Sequence, residues 1–466
     1  MLFPSEVFLF LFLPLLLILY YGLFRKFPTA KNVLLVIASL LFYAYGEPVY
    51  VFLMIVVILL HYGFGRMIWK HHDSEKAKKW IVFVSVAVDL LILGVFKYTD
   101  FILTNLNMAA GWAIPMTGIR IPIGISFFTF QAISYTVDLC REKEPLKPRL
   151  MDVALYISFF PQLIAGPIVR YNTVAHEIRN RKENVNDFST GVCRFIYGLG
   201  KKVLLANQFA IVADAAFAST ASNSLFMYWF GAFSFTLQIF FDFAGYSDMA
   251  IGLGRMFGFH FEENFRYPYI SRSVQEFWRR WHMSLQTWFR DYVYIPMGGS
   301  RVSSKTRLIF NIFVVWLLTG VWHGANWTFI CWGLMYCALL LMERFTGFHK
   351  KLGVFGILYT FFFVMIGWVI FKSDTLGQAI RYIEGMFGLH CNGLIGSAAI
   401  QYLRQYGLWY LAGIICCTPV LKNFENRFKY NKLFMAGEVI VNLSIFVLSV
   451  MYIFSNAYSP FIYFNF

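Results

Sequence analysis

Two histidines about forty positions apart, His282 and His323, are the residues best placed to do chemistry. His323 interrupts the apolar run Leu308 to Glu343, LIFNIFVVWLLTGVWHGANWTFICWGLMYCALLLME, as the one ionisable residue near its middle. An imidazole titrates close to neutrality, so it can take or give a proton without extreme tuning. An ionisable side chain at membrane depth points to function by default. The chemistry is then either general-base catalysis or a proton relay that gates transport. His282 stands in WRRWH, among aromatic and cationic residues that could meet an anionic partner.

These residues have to be held by particular elements. Fifteen residues from Leu308 to Trp322 climb roughly 22 Å of a ~30 Å hydrocarbon core. Gly324 and Asn326 break the helical pattern just beyond, which places His323 at the submerged tip of a helical hairpin. Residues 275–297 read as one surface or re-entrant helix at the membrane interface. Phe277, Trp281, Trp288 and Tyr292 share its apolar face, and Arg279, Arg280, Arg290 and Asp291 lie elsewhere around it. Met297-Gly298-Gly299-Ser300-Arg301 then offers bare backbone beside Arg301, a possible phosphate cradle.

Residues 121–141 carry Ser126, Thr129, Gln131, Ser134, Tyr135 and Asp138 through an apolar helix. Polar groups at that density face the protein interior rather than lipid, with Ser134 and Asp138 on one face. Around Phe159–Tyr171, Pro161, Gly166 and Pro167 indicate either a re-entrant segment or a surface helix ending in a proline-bounded turn. Asp242 and Asp248 close a span at its cytoplasmic end. Arg255 or the downstream arginines are their expected partners, and Ser247 or Asp248 is expected to cap a following helix.

The composition sets the compartment. The 466 residues are 59% hydrophobic and 20% aromatic, with only 14% charged and a mean hydropathy of +0.59. Soluble domains carry about 25% charged residues, so this is an integral membrane protein. Spans are expected near 5–24, 32–46, 49–65, 80–97, 122–139, 189–215, 223–243, 308–322, 326–343, 352–371, 400–420 and 433–454, about twelve in all. The first lacks a basic leader and a small-residue cleavage site, and reads as an uncleaved span. Alternate connections hold 35 of the 40 Lys and Arg residues. By the positive-inside rule that set is cytoplasmic, and both termini are extracytoplasmic. The net charge of +15 is therefore topological, with an added attraction to anionic lipid headgroups, and nucleic acid is not expected as a partner. None of the seven cysteines forms C-x-x-C, and no metal site is expected. With no internal repeat or long linker, the chain reads as one membrane domain over 1–466: peripheral helices over 1–97, a core over about 121–345 and C-terminal helices over 346–466.

Several stretches, in order, resemble the membrane-bound O-acyltransferases (MBOAT), and within them the bacterial AlgI-like branch of alginate O-acetylation. They are PIGISFFTFQAISYTVD, FPQLIAGPI, FDFAGYSDMAIG, NFRYPY, FWRRWHMSLQTWFRDYVYIPMGGSR, LLTGVWHGANW and the terminal PFIYFNF. The resemblance implies an all-α polytopic fold with re-entrant or interfacial helices, built around a central funnel open to both faces. It implies that His323 is the catalytic residue and His282 the second characteristic position. Trp281, Arg279, Arg280, Arg301, Asn326, Ser134, Asp138 and Asp242 become candidates for meeting the donor or lining the path.

The implied reaction moves an acetyl group from acetyl-CoA, with no bound cofactor, toward a cell-surface polymer. That polymer would be an alginate-like exopolysaccharide, cellulose or peptidoglycan, reached through an extracytoplasmic partner of the SGNH type. The setting is the bacterial inner membrane. Two alternatives stay open: D-alanyl transfer to teichoic acid from an acyl carrier protein, and a transporter without catalysis.

Overall fold

Apolar helices account for almost everything that follows. A computed structural model of the chain describes residues 1–143, 145–219, 223–428 and 430–455. The terminal PFIYFNF lies outside them. Every regular element among the described residues is a helix, with no strand. They gather into two units, Met1–Phe195 with Met249–Glu262, and Ile196–Asp248 with Glu263–Phe466.

The first unit opens with α1 (Phe8–Leu23). It continues through α2 (Pro28–Gly46), α3 (Tyr50–Lys70), α4 (Glu75–Ala110), α5 (Ile125–Arg141), α6 (Leu150–Ser158), α7 (Phe160–Leu163) and α8 (Tyr171–Asn180). Local signals set several boundaries. Pro28 starts α2 at a position where its missing N–H costs nothing. Ser74 caps α4 by accepting from the Ala77 amide, and Gly111 closes that helix in the left-handed region. The polar residues of α5 are buried, including Gln131, Ser134 and Asp138. Residues 152–169 are buried as well, so the stretch around Pro161 and Pro167 is not a surface helix.

Helix α9 (Val185–Gly200) leads through a π-helical turn, Lys201–Ala206, into α10 (Asn207–Ala218) and α11 (Leu225–Met256). Two of the three unit boundaries fall inside α9 and α11, and the third lies in the loop that follows α11. The rest of the second unit comprises α12 (Val274–Arg280), α13 (Met283–Phe289), α14 (Lys305–His323), α15 (Trp327–Thr346), α16 (Phe355–Lys372), α17 (Leu376–Met386), α18 (Ser397–Cys416), α19 (Val420–Phe428) and α20 (Lys432–Phe454). Its core is aromatic: Phe277, Trp278, Trp281, Trp332, Tyr336 and Trp368 are buried together.

Among the described residues seven helices, α2, α3, α4, α14, α15, α16 and α20, are long and apolar enough to cross a membrane. The protein is a multi-pass membrane protein. The other five expected spans fall on helices too: α1, α5, α9 with α10, α11 and α18. Helix α11 buries Ser234, Thr236, Gln238, Asp242 and Ser247 inside the protein. It runs on unbroken to Met256, so neither Ser247 nor Asp248 caps a new helix.

The expected single interfacial helix over 275–297 is instead two short helices and a π-helical turn, Arg290–Tyr294. The break falls at His282, which takes φ 45° and ψ 52°. Left-handed backbone at a non-glycine residue has to be held by its surroundings.

Candidate active site

His323 is the last residue of α14. Helix α14 cannot continue because Gly324 is extended, and α15 restarts almost at once under an Asn326 cap. Asn326 Oδ1 accepts from the Thr328 amide at 3.1 Å, and its Nδ2 donates to the Asp374 carbonyl at 2.8 Å. Asn326 is therefore the residue that builds the hairpin turn. A Cβ at Gly324 would lie 2.2 Å from the Phe329 ring, so any side chain here would have to displace that ring. The two arms are equally close. A Cβ on Gly320 would stand 2.5 Å from the Phe329 carbonyl oxygen, and one on Gly333 would stand 2.5 Å from that of Trp316.

This closeness encloses the His323 ring, leaving the residue 6% exposed. Its ring centroid lies 4.9 Å from Trp322, 5.0 Å from Trp332 and 5.2 Å from Phe371, each edge-on. An imidazole walled by aromatic rings sits in low dielectric, where proton transfer and electrostatic interactions count for more than in water.

His282 lies in the same unit and is 2% exposed. Its ring packs 4.6 Å from Phe243 and 6.0 Å from Trp322, the residue that also touches His323. Its anchor is Asn264, which sequence reasoning passed over within the NFRYPY stretch. Asn264 Oδ1 lies 3.0 Å from His282 Nδ1 and accepts from Ser284 Oγ at 2.9 Å and the Ser284 amide at 3.3 Å. Asn264 Nδ2 donates to Ser247 Oγ at 2.9 Å.

The proton on His282 follows from these partners. A backbone amide can only donate, so the Asn264 atom facing Ser284 is the oxygen. His282 Nδ1 must then be the donor to that oxygen, which leaves Nε2 with the lone pair. Nε2 is buried and makes no hydrogen bond among the described residues. Burial, and then the nearby His323, push the His282 pKa well below its ordinary value. His282 thus presents a neutral, accepting nitrogen.

The remaining candidates divide. Trp281 is buried, 4.8 Å from Trp368 and stacked 5.5 Å from Phe277, where it anchors the helix break. Arg280 is held by Glu276 at 2.6 Å, while Arg279 and Arg301 are exposed. The glycine turn before Arg301 does not cradle an anion. The Gly298 and Gly299 amides already donate to the Ile295 and Tyr294 carbonyls at 2.9 and 2.8 Å. Asp242 pairs with Lys202 at 2.5 Å, both side chains buried, and Asp248 pairs with Lys201 at 2.6 Å. The partners are these two lysines of the π-helical turn, not Arg255 or the later arginines. Ser134 and Asp138 belong to the first unit. There Ser134 Oγ lies 2.7 Å from the Tyr156 hydroxyl, and Asp138 accepts from the Asn172 amide at 3.4 Å.

Comparison with known proteins gives this geometry a context. The family model described as MBOAT, membrane-bound O-acyltransferase family, matches residues 49–373. The chain belongs to the membrane-bound O-acyltransferase family. It is 39% identical to a probable alginate O-acetylase AlgI of Pseudomonas putida over the whole of both chains. It is 32% identical to a peptidoglycan O-acetyltransferase of Helicobacter pylori, covering 100% of this chain and 98% of that one. A teichoic acid D-alanyltransferase of Bacillus subtilis is 31% identical over 54% of this chain and 68% of its own. The protein is thus an O-acyltransferase, and catalysis replaces the transporter alternative. Both histidines fall within the matched region.

Proposed function

We propose that the protein moves an acetyl group from cytosolic acetyl-CoA across the bacterial inner membrane for O-acetylation of a cell-surface polysaccharide, with His323 as general base. The observation that carries this reading is the enclosed His323 imidazole at the tip of the α14–α15 hairpin, with a second histidine beside it. His323 takes the proton of an attacking hydroxyl, belonging to the polymer or to a serine of an extracytoplasmic SGNH-type partner. The oxygen then adds to the thioester carbonyl. The carbon–sulfur bond breaks, and the proton passes from His323 to the departing thiolate, so no net acid or base is consumed.

His282 cannot polarise the thioester carbonyl in its neutral form, because its one ring proton is given to Asn264. Its role is to accept a hydrogen bond from the donor and position it.

Acetyl transfer is favoured over D-alanyl transfer by the extent of likeness. The acetyl-transferring relatives align over the whole chain, two D-alanyl-transferring ones over 54% and 68% of it. The acceptor is an alginate-like exopolysaccharide, cellulose or peptidoglycan.

The test uses membranes containing the full chain, supplied with labelled acetyl-CoA or with a charged acyl carrier protein. His323→Ala is expected to lower polymer-bound acetate at least 100-fold. Undiminished acetylation by that variant would overturn the base assignment. Loading only from the carrier protein would replace acetyl by D-alanyl transfer.

A further inference from the structure

Helix α12 carries the WRRWH segment toward His282, yet it is only seven residues long. A helix that short has no stability of its own in isolation, so its position must be imposed from outside. The N–H groups of its first turn, which have no partner within the helix, show where. Ser273 Oγ accepts from the Glu276 amide at 3.0 Å, and Glu276 reaches back to accept from the Arg272 amide at 2.9 Å, one residue before the cap. The amides at the first two helical positions are those of Val274 and Gln275. Both donate to a carboxylate from a different helix: Glu343 Oε1 at 2.7 Å and Glu343 Oε2 at 2.9 Å.

Glu343 is 2% exposed and lies in the last turns of α15. A buried carboxylate is costly unless its oxygens are satisfied, and the positive end of a helix is a favourable place for it. Along α15, Trp332, Tyr336, Leu339 and Glu343 are all buried. Their spacing keeps them on one face, since eleven residues make about three turns and about 16 Å of rise. Trp332 packs 5.0 Å from His323, and both Trp332 and Tyr336 pack on Trp278 of α12, at 5.4 and 4.8 Å. One face of one helix thus touches the first histidine near its start and grips the entry of the second histidine's helix near its end.

We propose that Glu343 is a positioning residue for acyl transfer: by clamping the Val274 and Gln275 amides it fixes α12, and through α12 it sets His282 relative to His323. This rests on the reading of the two histidines as the reaction centre. In Glu343→Gln an amide nitrogen replaces one oxygen, so a donor faces a donor and the clamp loses one arm. Val274→Pro deletes the matching N–H instead. Proline is tolerated at the first helical position, and Ser273, at φ −152° and ψ 157°, already has the extended backbone that a residue before proline adopts.

Three readouts on the full chain in membranes or detergent test the proposal. In hydrogen–deuterium exchange, Glu343→Gln should exchange roughly tenfold faster or more across Val274–His282, with α14 unchanged. In acetyl transfer it should lower kcat roughly 10- to 100-fold with little change in KM for the donor. Val274→Pro should reproduce part of that loss, and the double variant should be no worse than Glu343→Gln alone. Unchanged exchange across α12, or multiplicative losses in the double variant, would overturn the clamp. Full transfer activity in His323→Ala would instead overturn the reaction-centre reading and leave the exchange result standing.

Discussion

At the scale of single residues, the site turns on where one proton sits. Asn264 receives the Ser284 amide, so it must receive His282 Nδ1–H as well, and Nε2 is left accepting. The His282 pKa is lowered in the folded protein, first by burial and then by His323. The unfolded chain therefore binds a proton more readily than the native one below the ordinary imidazole value of about 6.5. The stability gained by burying neutral His282 is complete above that pH and is lost as the pH falls through it. Thermal melts of the protein in detergent should be level between pH 8 and 7 and should decline below about 6.5. In His282→Asn, where the residue does not titrate and still suits left-handed backbone, the decline should be shallower. An identical pH dependence in the two proteins would remove His282 as its source.

At the scale of elements, the α14–α15 hairpin was legible and the break at His282 was not. The hairpin announces itself locally: an apolar run of spanning length, then Gly324 and Asn326, then another run. The break depends on Asn264, eighteen residues earlier, and on the contact of α12 with Glu343 of α15, sixty-nine residues beyond Val274. A stretch reading FWRRWHMSLQTWF has good helical periodicity, and nothing local in it marks a left-handed residue. The Asp242–Lys202 pair escaped for the same reason: the arginines nearby in sequence are not the cations nearby in space. Within the hairpin, Gly333 and Gly320 let the arms meet, and the obstacle to any added carbon is backbone oxygen, which cannot rotate away. Gly333→Ala should cost about 1–3 kcal/mol and shift Trp332 off His323, lowering acetyl transfer at least tenfold. Gly94, in α4, has nothing within 4 Å of an added Cβ. Gly94→Ala should therefore melt no lower than the parent, and by helix propensity up to about 1 kcal/mol more stable. Wild-type melting and activity in Gly333→Ala would show that the arms can part without consequence.

At the scale of the whole molecule, the question is which face receives the donor, and the distribution of charge supplies a testable proposal. Each expected span falls on a helix, so the alternation of connections built from those spans has a structural basis. The 170–202 connection is the least secure. Its Arg194 lies inside α9, and Lys201 and Lys202 sit in a π-helical turn paired with Asp248 and Asp242. Setting that whole connection aside leaves the asymmetry standing, because the connections at 66–79, 140–150 and 255–307 still carry eighteen Lys and Arg. Each cation near an anionic cytoplasmic leaflet contributes on the order of 1 kcal/mol, so inverting the protein would forfeit many such terms at once. We propose on this ground that both termini are extracytoplasmic and that WRRWH enters from the cytosolic side, where acetyl-CoA is made. Alkaline phosphatase fused after residue 466 should be active, and a green fluorescent protein fused there should be dark. The fluorescent protein inserted in the 344–351 connection should be bright. The reverse pattern would place His282 and its arginines on the acceptor face, and the cytosolic donor would have to reach His323 by another route.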